Sequence, residues 1–184
     1  MPNGDYHPTD LEWAAGGLSL GFTLISIACT FTTMYLIHCI GFNSGYLRLI
    51  YSLTVMQLIY DVGLLLIPFY WNDTANLINS FLTSIGGVGA SLWSNVISLV
   101  VVHIVVNLKS FDIKTYYQTI RICITVFGFA LAVAIVASQM PFRQDAALSS
   151  SATALLQFYY WLRFASILIN ICAWAAVSRR LRTM

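Results

Sequence analysis

Charge is what this sequence has least of: Asp, Glu, Lys and Arg make up 9% of its 184 residues, where a water-soluble domain carries about 25%. That scarcity argues for an integral membrane protein and against a soluble domain of useful size. No nucleic-acid partner is expected. Lys and Arg are missing from the first twelve residues, and the apolar run after Glu12 is too long for a cleavable h-region, which argues against a secretory signal peptide. No carboxylate other than Asp61 falls inside an apolar stretch, which removes the proton-sharing dyad of an intramembrane aspartyl protease. No Gly-x-Ser element pairs with a suitably placed His, and no lysine lies inside a span to carry retinal. The chain does not read as an enzyme. Cysteine is sparse too: Cys29, Cys39, Cys123 and Cys172 sit in or at the ends of apolar stretches, so free, buried thiols are expected and a disulfide framework is not.

What is present is apolar sequence in five blocks, and 59% of the chain is hydrophobic. The blocks run over roughly 14–40, 47–71, 85–107, 122–138 and 155–177. About 20 helical residues cross a bilayer core, and no ten-residue alternating pattern suggests a barrel. The expected fold is all-α: one transmembrane domain, 1–184, a polytopic bundle of five helical spans. Basic residues set its orientation. With the amino terminus outside, Arg48, Lys109, Lys114, Arg121, Arg179, Arg180 and Arg182 fall inside, and Arg143 alone lies in an outer loop. Asp5, Asp10, Glu12, Asp73 and Asp145 then lie outside, which agrees. The carboxyl terminus is expected inside, in a plasma membrane or an endomembrane.

The second block, LRLIYSLTVMQLIYDVGLLLIPFYW, carries Thr54, Gln57 and Asp61, spaced to share one side of a helix. A carboxyl in that setting costs several kcal/mol on typical scales unless it faces protein or a wet cavity. Arg163 is the lone guanidinium inside a block and falls at a similar depth, with Asn95 within about a turn of it. The two charges are therefore expected to meet, directly or through Asn95 and water, either as a structural ion pair or as the floor of an outward-facing cavity. Gly87, Ser91, Ser94 and Ser98 form a stripe of small residues that lets helices approach closely, which marks the third helix as central. His38 and His103 lie near the inner face on two different spans. Such a pair can ligate haem, but bonding to backbone or facing the interface is the commoner use, and no cofactor or metal is expected. Thr23, Ser26, Thr30, Thr32 and Thr33 can bond back to carbonyls of their own helix. Phe69, Tyr70 and Trp71 fit a headgroup-level belt, and Asn72-Asp73-Thr74 has the form of a glycosylation sequon.

The acidic tail, the short first loop with Arg48, and LRLIYSLTVMQLIYD resemble the first two helices of seven-helix G-protein-coupled receptors. Leu92-Trp93-Ser94-Asn95-Val96-Ile97-Ser98 resembles the third helix of the cyclic-AMP-receptor-like branch. The likeness spans the whole chain and corresponds to helices one to five. The acid of the second helix comes one turn late, at Asp61, and the third block closes on HIVVNLKS without an Asp-Arg-Tyr triplet. The resemblance implies a receptor-like protein, a truncated G-protein-coupled receptor sensing an extracellular ligand. Its second and fifth helices would not be direct neighbours. Ligand would enter between helices two, three and five and meet Asp61, Gln57, Trp93, Asn95 and Arg163. A heterotrimeric G protein would engage the inner loop from Lys109 to Arg121. Beside this stand a non-catalytic subunit of a larger membrane complex, in contact with lipids and other membrane subunits, and a small transporter component.

Overall fold

The computed structural model describes residues 10–41, 44–66, 73–108, 112–139 and 146–183. Among them are five α-helices and no strand: α1 (Asp10–Ile40), α2 (Gly45–Leu64), α3 (Asp73–Asn107), α4 (Ile113–Gln139) and α5 (Ala146–Arg182). All five are long and apolar enough to cross a membrane.

Helix ends depart from the hydropathy boundaries, because apolarity marks only what lipid would solvate while the backbone goes on pairing i to i−4 through polar flanks. α3 starts at Asp73 rather than 85, α4 at Ile113 rather than 122, and α5 at Ala146 rather than 155. α4 starts early because Asp112 caps it. The Asp112 carboxylate accepts from the Lys114 N–H at 3.1 Å and from the Thr115 hydroxyl. The Thr115 bond holds the Asp112 carboxyl below the ordinary carboxylate pKa, which keeps a negative charge at a helix N-terminus. Lys114, Tyr116, Tyr117 and Arg121 consequently belong to a helix, not to a loop. α1 closes on Gly41, whose φ of 88° and N–H bond to the Ile37 carbonyl (3.0 Å) form a left-handed cap. α2 ends at Leu64, about two turns short of the expected 71 and about one turn ahead of Pro68, whose ring would clash with the carbonyl four residues back in a continuing helix. The aromatic belt at 69–71, Asn72 of the sequon, Lys109, Arg143 and the first nine residues lie outside the described residues.

α3 is the central rod, packed on α2, α4 and α5; α1 packs on α2, and α4 also on α5. α2 and α5 both lean on α3 without extended packing on each other. The α2–α3 crossing is backbone against backbone. A Cβ on Gly86 would lie 2.4 Å from the Tyr60 nitrogen, and one on Gly63 would lie 2.9 Å from the Thr83 nitrogen. Two small apolar cores flank the central helix. One joins α2, α3 and α4 around Leu49, Trp93 and Ile113. The other joins α3, α4 and α5 around Val88, Ile135 and Tyr159.

The outward faces are apolar. Phe22, Phe31 and Tyr35 on α1, and Trp161, Phe164 and Trp174 on α5, are all more than half exposed. Contiguous apolar surface of that extent is foreign to a water-soluble monomer. The four cysteines are free and exposed on these faces, not buried as the sequence suggested.

Candidate functional site

Among the described residues, most polar contacts between helices join α5 to α3 or to α2. On α1, Thr23, Thr32 and Thr33 donate to the carbonyls four residues back, as expected of hydroxyls in an apolar helix. Ser26 does not. Its hydroxyl donates to the Asp61 carboxylate at 2.7 Å, and the Gln57 amide donates to the other oxygen at 2.9 Å. Asp61 is 2% exposed. It is sealed at the α1–α2 seam, where it supplies a specific polar tie between α1 and the bundle. Thr54, the third member of the stripe, bonds to its own helix at Ile50.

Arg163 points elsewhere. Its Nη1 donates to the hydroxyls of Tyr60 (3.3 Å) and Tyr159 (3.2 Å). Its guanidinium carbon stands 5.0 Å and 5.7 Å from the centroids of those same two rings. The expected Asp61–Arg163 contact is thus not made: each charge is solvated by neutral groups. The reason is local. Asp61 and Gln57 lie one turn apart, so the amide reaches the carboxylate first, while Tyr60, the neighbour of Asp61, emerges on the side of α2 that looks toward α5. Asn95 does not bridge them either. Its Oδ1 accepts from Ser166 (2.8 Å) and from the Asn170 amide (3.4 Å), and Asn170 also bonds Ser98, which forms an α3–α5 clamp. Because Asp61 and Arg163 share no partner, Asp61→Asn and Arg163→Gln should add within about 0.5 kcal/mol in the unfolding free energy of the double variant. A milder double variant would restore the ion pair.

Two clefts meet at Arg163. One, of about 270 Å³, lies between α2, α3 and α5 and is lined by Gln57, Tyr60, Ser91, Ser94, Ser166 and Asn170 with apolar Leu53 and Ile167. The other, of about 300 Å³, lies toward the Leu64 end and is lined by Asn79, Ser80, Thr83, Tyr159 and Tyr160. Arg163 and Tyr60 line both. Tyr159 completes the partition: its hydroxyl accepts from Arg163 and donates to the Thr83 carbonyl at 3.4 Å.

No protein-family model and no curated protein matches the chain. Chemistry alone must therefore sort the five residues expected to bind ligand. Gln57 and Arg163 line the cleft. Asp61 is turned to α1, and Asn95 is engaged in the α3–α5 clamp. Trp93 is fully buried on the opposite side of α3, its ring 5.9 Å from that of Tyr117. Adjacent helical residues point about 100° apart, so Trp93 and Ser94 cannot serve the same face. Tyr60, Tyr159, Ser166 and Asn170 were missed by sequence reasoning, although Tyr159, Arg163, Ser166 and Asn170 carry a visible signal. Their spacing repeats that of Gly87, Ser91, Ser94 and Ser98.

Proposed function

We propose that this is a receptor-like integral membrane protein, amino terminus outside and carboxyl terminus inside, that binds a small ligand in the cleft between α2, α3 and α5. The observation that carries the reading is the pair of clefts, partly lined by polar side chains, that meet at Arg163 within helices whose outer faces are apolar. Unused hydrogen-bonding groups at such depth are expensive unless a ligand or water meets them. Two helices that lean on a central third without packing on each other fit the seven-helix resemblance and leave one side of the cleft for occupancy. On this reading, Lys114 and Arg121, exposed on the first turns of α4, face a heterotrimeric G protein on the inner side. A second reading, a subunit of a larger membrane complex, is favoured by α1, which packs mainly on α2 and leaves most of its girth uncovered among the described residues.

Purified protein in nanodiscs should gain thermal stability, saturably, from at least one member of a panel of small carboxylates, amides and amines. Ser91→Leu, which fills the cleft, should keep the fold and lose that response. A response unchanged in Ser91→Leu, or none to any compound, would remove the ligand-binding reading and leave the subunit reading.

A further inference from the structure

Arg163 remains charged at any accessible pH and offers N–H donors in a planar fork. Both of its protein bonds leave from one nitrogen, Nη1, and both go to neutral phenols. Among the described residues Nε and Nη2 have no acceptor, and neither is sealed from solvent. These two nitrogens are the edge that pairs with both oxygens of a carboxylate. Among the described side chains the carboxylates are Asp61, held by Ser26 and Gln57, and Asp112, at the start of α4. Neither touches Arg163, so among the described residues the cation has no carboxylate partner. Across the cleft the Ser94 hydroxyl makes no hydrogen bond among the described residues, and Leu53 and Ile167 give the same space an apolar wall.

Resting on the ligand-binding reading above, we infer that Arg163 takes the head of a small organic monoanion, a carboxylate with an apolar body, which it holds through Nε and Nη2 while Ser94 donates to the same head. One cation in a medium of low dielectric balances one negative charge, which selects a monoanion over a dianion. The cleft, about 270 Å³, has the room of roughly nine bulk waters, enough for a carboxylate with a ring or a short chain. Tyr60 and Tyr159 hold the guanidinium in place by its other nitrogen and by their ring faces, so the fork is preset before ligand arrives. A carboxylate of this kind can come from water or from the bilayer, and the chemistry of the site is the same for both.

The test uses the full chain in neutral-lipid nanodiscs with benzoate and benzamide as the aqueous pair and decanoate and decanamide as the membrane-borne pair. Binding is read by thermal stabilisation and by isothermal titration. At least one carboxylate should bind about tenfold or more tighter than its amide, and Arg163→Gln should abolish that preference, since a neutral amide cannot make the doubly charged hydrogen bond that the guanidinium offers a carboxylate. Arg163→Lys, which keeps the charge without the fork, should retain the preference with weaker binding. Benzoate binding identifies an aqueous source, and decanoate binding alone a membrane source. If the amides bind as well as the acids, and Ser91→Leu abolishes both, the cleft binds ligand but the anion assignment is wrong. If no probe responds to Ser91→Leu, both readings fall. If Arg163→Gln does not fold, an equal response to acid and amide in Arg163→Lys overturns the assignment just as well.

Discussion

Trp93→Ala is expected to cost about 3 kcal/mol of folding stability, at the lower end of the range for truncating a buried aromatic. Trp93 is wholly inaccessible and sits at the joint of α2, α3 and α4, against Leu49, Val100 and Ile113 in one apolar cluster. Within lipid the transfer component of that loss fades, because hydrocarbon solvates an indole body about as well as protein does. What is left is the cavity and the forfeited dispersion contacts. Trp174 supplies the control. It is 72% exposed on the outer face of α5, so Trp174→Ala should change the stability by less than about 0.5 kcal/mol. Chemical unfolding in detergent reads both. Equal losses at the two positions would mean that Trp93 is not the core residue described, and would return it to the list of ligand contacts.

Gly86→Leu should be more damaging still, with little folded protein recovered. Its Cβ would stand 2.4 Å from the backbone nitrogen of Tyr60, 2.7 Å from its Cα and 2.8 Å from the Met56 carbonyl oxygen. Backbone atoms cannot swing aside as a side chain does, so α2 must move bodily. Overpacking ordinarily costs about 1–3 kcal/mol, and a backbone clash exceeds that range. The displacement would also carry Tyr60 away from Arg163. Even Gly86→Ala should be harmful. Gly128→Ala should not, since the nearest atom to its added Cβ is 3.7 Å away and alanine favours a helix by about 0.5–1 kcal/mol. If the two alanine variants behave alike, the close α2–α3 crossing is wrong.

The five helices were legible because apolar length is a one-dimensional signal. Their ends were less so, since polar flanks such as 73–84 and 113–121 are as helical as the apolar blocks they prolong. The central role of α3 could be anticipated from its small residues, although the tightest approach uses Gly86, on a different face from the Gly87–Ser91–Ser94–Ser98 row. That Asp61 is buried also followed from its cost in lipid. Its partner did not, because depth along a helix says how far in a charge lies and not which way it faces. Two charges at one depth invited a pairing, while the groups that hold them, Ser26 on α1 and the phenols of Tyr60 and Tyr159, are types that read equally well as ordinary hydroxyls and belt aromatics. Rotation about each helix axis was the missing quantity. The 4, 3, 4 row of Tyr159, Arg163, Ser166 and Asn170 would have supplied it for α5.

The most direct measurement compares two engineered thiols in native membranes, with Cys29, Cys39, Cys123 and Cys172 replaced by Ser. Ser94→Cys puts a thiol in the cleft beside Arg163, and Phe164→Cys puts one on the outer face of α5, 51% exposed. A charged, membrane-impermeant methanethiosulfonate needs water and a thiolate. Fast modification at 94 with none at 164 is the predicted result, because the first position faces a wetted cavity and the second faces hydrocarbon. Modification at 164 with none at 94 would show that the polar side of the bundle is closed and its apolar side is in water, and the account would be contradicted.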